Sequence, residues 1–168
     1  TLYNQDDDTY SKSASLFQSA YQNALKSGNK NLINITAFQA GQSAYQSNDF
    51  QTTISRLKTF VAQFPQDPKL MTAVYYLAWS YFSVAGNAKS QEERKKLLQQ
   101  TSKQFDHLVR QKVTQERLAD WIFQSAQALN MAGETTAAIA KYQQLLTQFP
   151  NHNLAETSAY IIANLQYS

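Results

Sequence analysis

A stretch of nine residues, Leu57-Lys58-Thr59-Phe60-Val61-Ala62-Gln63-Phe64-Pro65, returns as Tyr142-Gln143-Gln144-Leu145-Leu146-Thr147-Gln148-Phe149-Pro150, with Gln-Phe-Pro closing both copies. The register holds past the proline: Tyr75 aligns with Tyr160, Leu77 with Ile162 and Ala78 with Ala163. Internal similarity at a fixed offset marks a chain built from stacked units, none of which can bury its apolar face alone. With four Gly and three Pro there is little punctuation for tight hairpins, and the apolar residues recur at spacings of three and four. That period belongs to helices and not to strands.

Two segments are apolar on two faces. Over Met71 to Val84, one stripe holds Val74, Leu77, Ala78 and Tyr81 and a second holds Tyr75, Trp79 and Phe82. Over Trp121 to Met131, Ile122, Ser125, Ala126 and Leu129 run beside Phe123 and Gln127. Such helices are expected to sit between neighbours. Breaks fall at Ser27-Gly28-Asn29, Ser47-Asn48-Asp49, Pro65 to Pro68, Gly86-Asn87, Ala132-Gly133 and Pro150-Asn151, all rich in turn and capping residues. The pattern predicts helices over about 8–26, 30–47, 49–63, 68–85, 90–111, 114–132, 134–148 and 152–166. Asp49 is read as an N-cap, and Asp6, Asp7 and Asp8 as acids at the positive end of the first helix.

A chain of 168 residues has the size of one domain. Hydrophobic residues at 43%, charged residues at 16% and a mean hydropathy of -0.50 exclude a disordered polyelectrolyte. No run is long enough to cross a bilayer as a helix, and Thr1 to Asp8 has neither the basic nor the apolar part of a signal peptide. A start at Thr is read as a processed mature chain or an excised domain. The absence of cysteine removes disulfides, thiolate metal sites and thiol nucleophiles, and with the many Gln, Asn, Ser and Thr residues it suits an oxidising, extracytoplasmic space. A net charge of +3 with no dense basic run makes no demand for nucleic acid.

The residues resemble tetratricopeptide repeats. Ala37, Gly41, Tyr45, Phe50, Leu57, Phe60 and Pro65 follow the order of that thirty-four-residue motif, and Ile122, Ala126, Leu129, Gly133, Ala138, Tyr142, Leu145 and Pro150 follow it again. A middle unit keeps Leu77, Ala78 and Tyr81 but enlarges its hairpin around Gly86 to Gln91; Thr53 replaces the usual alanine, and residues 8–26 keep no full motif. The resemblance implies one all-α domain, a right-handed solenoid of antiparallel helix pairs with about eight helices. Its parts would be degenerate N-terminal helices over about 1–34, repeat units at 35–67, 68–112 and 113–150, and a C-terminal helix at 151–168. Small residues such as Gly41, Ala78 and Ala126 are needed where paired helices approach to about 8–10 Å. Asn48-Asp49-Phe50, Phe60 to Pro68 and Ala73 to Ala78 are similar to the repeat variety of bacterial envelope proteins, including outer-membrane assembly lipoproteins and the Tol-Pal-associated periplasmic coordinator.

In this repeat family the first helices of the pairs line a concave surface that binds a peptide or helix of a partner. Carried over position by position, that surface would hold Phe38, Gln42 and Tyr45, then Tyr75, Trp79 and Phe82, then Phe123, Gln127 and Asn130, then Tyr160, Asn164 and Tyr167. Each aromatic has two uses, packing between repeats or meeting a partner, and each amide is either ordinary surface or a donor to an extended backbone. Phe38 and Gln42 stand where chaperone-binding members carry a carboxylate clamp, so chaperone docking is not expected. The functional expectation is a non-catalytic protein scaffold of the bacterial envelope, periplasmic or otherwise extracytoplasmic, with a cytosolic adaptor or a recruiting domain of a larger enzyme as alternatives.

Chemistry has few candidates. The two histidines, His107 and His152, have no evident partner, and Asp106 and His107, adjacent on one helix, point about 100° apart. All three are read as surface residues. No phosphate loop or helical metal-binding histidine pair occurs, so no cofactor and no metal is expected. Glu92 to Lys96, continuing to Lys103, Arg110 and Lys112, is either a solvated helix face or a basic patch for an acidic partner or phosphates. Ile161, Ile162 and Leu165 are read as apolar surface at the end of the stack that would allow self-association.

Overall fold

A computed structural model describes the backbone of residues 2–111 and 114–167, and the side chains of those residues apart from 2–8, 10 and 11. The described residues form eight α-helices and no strand: α1 (Leu2–Ser27), α2 (Lys30–Gln46), α3 (Phe50–Gln63), α4 (Leu70–Gly86), α5 (Gln91–Val109), α6 (Gln115–Met131), α7 (Thr135–Gln148) and α8 (Asn153–Gln166). Seven of the eight lie within two residues of the sequence reading. The exception is α1, which begins at Leu2 and not near residue 8. Asp6, Asp7 and Asp8 therefore lie inside a helix and not at its start, and their side chains are outside the described residues. The all-α repeat class expected from the period is the one that forms.

Local chemistry explains where the helices stop. Phe64 and Phe149 take nearly the same backbone conformation, φ −128° and ψ 59° against φ −136° and ψ 57°. The following proline drives the residue before it out of the α region, so the two Gln-Phe-Pro copies end their helices alike. Each phenylalanine N–H still donates back, to Phe60 O at 2.9 Å and to Leu145 O at 2.8 Å. Turns that need a left-handed residue use Asn48 (φ 58°) and Gly133 (φ 76°) after α2 and α6. Asn29 caps α2 by accepting from the N–H groups of Asn31 and Leu32, and Asp49 caps α3 by accepting from Thr52 N–H at 3.1 Å. His152, expected on the surface without a role, caps α8: its Nδ1 accepts from Leu154 N–H at 3.3 Å.

The chain divides into two compact units, Thr1–Ser80 and Tyr81–Ser168, the division falling within α4. In the first, α1 packs on α2 and α2 on α3. Ala37, Ala40 and Ala44 of α2 are buried with Leu57 and Phe60 of α3, and the α2 surface is small because α3 lies almost on its backbone. Gly41 is the tightest point, since a Cβ there would overlap Cγ and Cδ2 of Leu57. The degenerate α1 is held by Tyr21 and Ala24, both buried, and by Arg56, whose Nε donates to Gln18 Oε1 at 2.7 Å while its guanidinium lies 4.9 Å from the centre of the Tyr21 ring.

In the second unit α5 packs on α6, α6 on α7 and α7 on α8, and α6 also reaches α8. One core holds Ile122, Phe123 and Ala126 of α6, Ala138, Tyr142 and Leu145 of α7, and Ala155 and Ile162 of α8. Thr53, Leu57 and Phe60 in the first unit, and their counterparts Ala138, Tyr142 and Leu145 in the second, are all fully buried, so the repeated stripe is a repeated core. The end of α8 differs from expectation. Ile162 is buried, and Ile161 and Leu165 pack against the same core, because α8 turns its apolar side onto α6 and α7. Its outward positions are Ala159, Ala163 and Gln166, all exposed, where α6 buries Ile122 and Ala126. Apart from Tyr160, the exposed side chains of α8 are small or polar.

Candidate functional site

The first-helix positions carried over from the repeat family divide into core and surface. On α2, Phe38 is only 4% exposed. It packs on Phe60 with ring centres 5.4 Å apart, and Lys69 Nζ sits 5.1 Å from its ring centre. Phe123 on α6 is likewise buried and meets Tyr142 edge-on at 5.6 Å. These two belong to the cores of their units and do not face a groove; a large ring placed over small helix-crossing residues loses most of its surface to the neighbouring helix.

What stays accessible in the first unit is an aromatic cluster spanning α2 and α4. Tyr45 stacks on Tyr76 with ring centres 4.3 Å apart and planes 21° from parallel, and the Tyr45 edge meets Phe50 at 6.0 Å. Tyr76 continues to Tyr75 at 6.2 Å, and Tyr75 to Trp79 at 6.3 Å in an edge-on arrangement. Tyr75 is exposed, and Tyr45, Tyr76, Trp79 and Phe50 are half-buried, as is Gln42 one turn before Tyr45. Burial, reinforced by the neighbouring Tyr75 and Tyr76 phenols, raises the Tyr45 hydroxyl above its ordinary value. The Tyr45 hydroxyl is therefore a neutral donor and acceptor at physiological pH. Phe50 was legible from sequence as a motif residue but not as a binding candidate, and Tyr76 was not singled out; Tyr76 sits 100° around α4 from Tyr75, and only the α2 to α4 register shows that it faces Tyr45.

Beneath that cluster the α3 to α4 turn is fixed by Asp67. It accepts from Asn34 Nδ2 at 2.9 Å and from Lys69 N–H at 2.8 Å. Burial works against its ionisation, but the Asn34 amide, the Lys69 N–H and the Lys69 charge outweigh it and hold the carboxyl below the usual aspartate range.

The second unit gathers its candidates less tightly. Phe82 packs partly against Ala85, Leu98 and Ala132. Gln127 and Asn130 of α6 are half-buried, whereas Tyr160 and Asn164 of α8, and Tyr167 just beyond it, are exposed, Tyr160 at 68% and Tyr167 at 93%. Among the described residues these two exposed tyrosines have no ring partner, and they are accessible contact area.

A buried polar relay was also missed by sequence reasoning. Ser125, fully buried on α6, donates to Asp106 Oδ1 at 2.7 Å. A hydroxyl has one proton, so the 2.8 Å contact between Ser102 and Ser125 is a donation from Ser102. Lys141 of α7 places Nζ 2.7 Å from the same Asp106 oxygen. Asp106 thus joins α5, α6 and α7 and is not a free surface residue. His107 beside it is half-buried, and burial, followed by the Arg110 charge, lowers its pKa. The acid-rich start of α5 is structural too. Ser90 accepts from Glu93 N–H at 3.1 Å while the Glu93 carboxylate accepts from Lys89 N–H at 2.8 Å, a reciprocal cap. Lys95 pairs with Glu134 at 2.9 Å, and Lys96 with Glu92 at 3.2 Å. Lys112 lies outside the described residues. Among the described residues no group of His, Asp and Glu is arranged to hold a metal ion, and no helix is long and apolar enough to cross a membrane.

Residues 4–112 match the outer membrane lipoprotein family, and residues 122–152 match the tetratricopeptide repeat. No curated protein matches the chain. The first match spans more than half of the sequence, and the second covers α6 from Ile122 onward, α7 and the turn into α8. Proteins of these families are typically non-catalytic scaffolds that bind other proteins, and the lipoprotein match points to a place outside the cytoplasm. The chain is an all-α tetratricopeptide-repeat protein and belongs to the outer membrane lipoprotein family.

Proposed function

We propose that the chain is a non-catalytic scaffold of the bacterial envelope that holds a peptide or helix of a partner protein against the exposed faces of its first helices, the concave side of a repeat of this class. The observation that carries the reading is the aromatic cluster of Tyr45, Tyr75, Tyr76 and Trp79. It stays accessible although the core beneath it, Ala37, Phe38, Leu57 and Phe60, is complete without it. Aromatic side chains give large contact area at low entropic cost, and the tyrosine hydroxyls with the Gln42 amide can satisfy a bound backbone. In the second unit the contacts would come from Gln127, Asn130, Phe82, Tyr160 and Asn164. The mechanism is occupancy and positioning: binding brings a partner to an assembly, and no bond is made or broken. Phe38 and Phe123 support the surface from beneath and do not touch the partner.

The test is capture of partner from solubilised envelope by the folded protein and by a Trp79→Ala/Gln127→Ala variant of unchanged helix content. A loss of at least ten-fold in one reproducibly captured protein is expected. Equal recovery by both would remove the assignment of these faces.

A further inference from the structure

The outer face of α5 carries a line of cations that neither the fold nor the partner-binding surface uses. Lys96, Lys103 and Arg110 stand at seven-residue intervals, about 10.5 Å per step along a helix, with a drift of about 20° per step. All three are exposed, and the line lies opposite the buried side formed by Leu98, Thr101, Ser102, Phe105 and Leu108. Among the described residues no acid pairs with Lys103 or Arg110, while Lys96 shares its charge with Glu92 in an exposed pair at 3.2 Å. The side chains between the cations are Gln99, Gln100, His107 and Asp106, whose carboxylate pairs with Lys141.

The composition of this face selects its partner. It offers no apolar or aromatic anchor of the kind that dominates protein interfaces, and no ring on which a nucleotide base could stack. A planar array of anionic headgroups requires neither, because basic residues close to such a surface are drawn to it by charge alone. The family to which the chain belongs is described as outer membrane lipoproteins. We propose that the Lys96, Lys103 and Arg110 face of α5 docks the protein on an anionic phospholipid surface. The contact uses none of the residues of the aromatic cluster in the first unit. It rests on the envelope placement of the proposed function and not on the partner-binding residues.

Each basic residue is worth about a five-fold gain in partition, so the three together give on the order of a hundred-fold at low salt, less what Glu92 screens. The experiment is co-sedimentation of the purified chain with phosphatidylcholine vesicles and with vesicles in which a third of the lipid is phosphatidylglycerol, at low and at physiological salt. The protein is expected to pellet with the anionic vesicles only, and less so as salt rises. A Lys96→Gln/Lys103→Gln/Arg110→Gln variant should lose that binding, and Glu92→Gln should strengthen it several-fold. A Lys26→Gln/Lys30→Gln/Lys58→Gln variant has the same net charge, with its three exposed sites on α1 to α3, and should bind as the parent does. Failure of the parent to bind, or equal loss in both triple variants, would overturn the proposal. Partner capture that survives the loss of vesicle binding would leave the proposed function standing.

Discussion

Replacing Gly41 by alanine sets two known effects against each other. Alanine in a helix interior is favoured over glycine by about 1 kcal/mol. At this position, however, the new Cβ would overlap Cγ and Cδ2 of Leu57 and come within 3.4 Å of Arg56 Cβ. Leu57 is fully buried, and its branch point as well as its tip is in the way, so rotation about χ2 alone cannot clear it. Overpacking of this kind costs about 1–3 kcal/mol. The net expectation is destabilisation by up to about 2 kcal/mol, a fall in melting temperature of up to about 8 °C for a chain of this size. Leu57→Ala alone should cost about 2–5 kcal/mol through the cavity it leaves. In that background the clash is gone, the added methyl fills part of the cavity, and Gly41→Ala should stabilise by about 1 kcal/mol. The sign of the Gly41 effect therefore reverses with residue 57. Urea denaturation of the four proteins, followed by far-ultraviolet circular dichroism, measures the coupling directly. If Gly41→Ala has the same sign in both backgrounds, the helices do not meet as described.

Tyr142 occupies the position that Leu57 holds in the first copy, and its buried hydroxyl has no hydrogen-bond partner among the described residues. Tyr142→Phe should be neutral to stabilising by about 1–3 kcal/mol in thermal unfolding. Burial pushes the Tyr142 pKa up to about 12 from an ordinary 10.0, so the stability linked to this group is full below pH 10 and lost as pH rises toward 12. The phenylalanine variant should lose that part of the alkaline transition. The lowered pKa of Asp67 has the opposite sense: its contribution is present above the ordinary aspartate value and disappears as pH falls through the lower folded value. Asn34→Leu, which removes one of the two hydrogen bonds to that carboxylate, should weaken the protein at neutral pH and flatten its acid limb in a pH series of melting curves. Asp106→Ala leaves Ser125 and Lys141 without their shared acceptor and should cost about 1–3 kcal/mol, whereas Asp106→Asn, which keeps an oxygen for Ser125, should cost less in the same assay.

The helices were legible because their signals are local. Gln-Phe-Pro, Asn48-Asp49 and Ala132-Gly133 act within one turn of chain, and the observed boundaries follow them. The crossing at Gly41 was legible because a small residue in a repeated stripe has a steric meaning of its own. The misread features all depend on where one helix sits beside another. Phe38 and Tyr75 share a repeat position, yet Phe38 is roofed by Phe60 and Lys69 while Tyr75 is open. Asp106 looked like surface because Lys141, its partner, is 35 residues away. Ile161 and Leu165 seemed to form an apolar end because a single sequence does not show which way the last helix rolls.

The most direct test of the scaffold reading is a positional map of photo-crosslinking in envelope preparations. A photoreactive side chain is placed in turn at Gln42, Tyr75, Gln127 and Tyr160, and, as outward controls on α3, at Gln51 and Lys58. The account predicts covalent adducts with one common protein from the first four positions and none from the controls. Adducts from the α3 positions alone, or different proteins at each site, would contradict it.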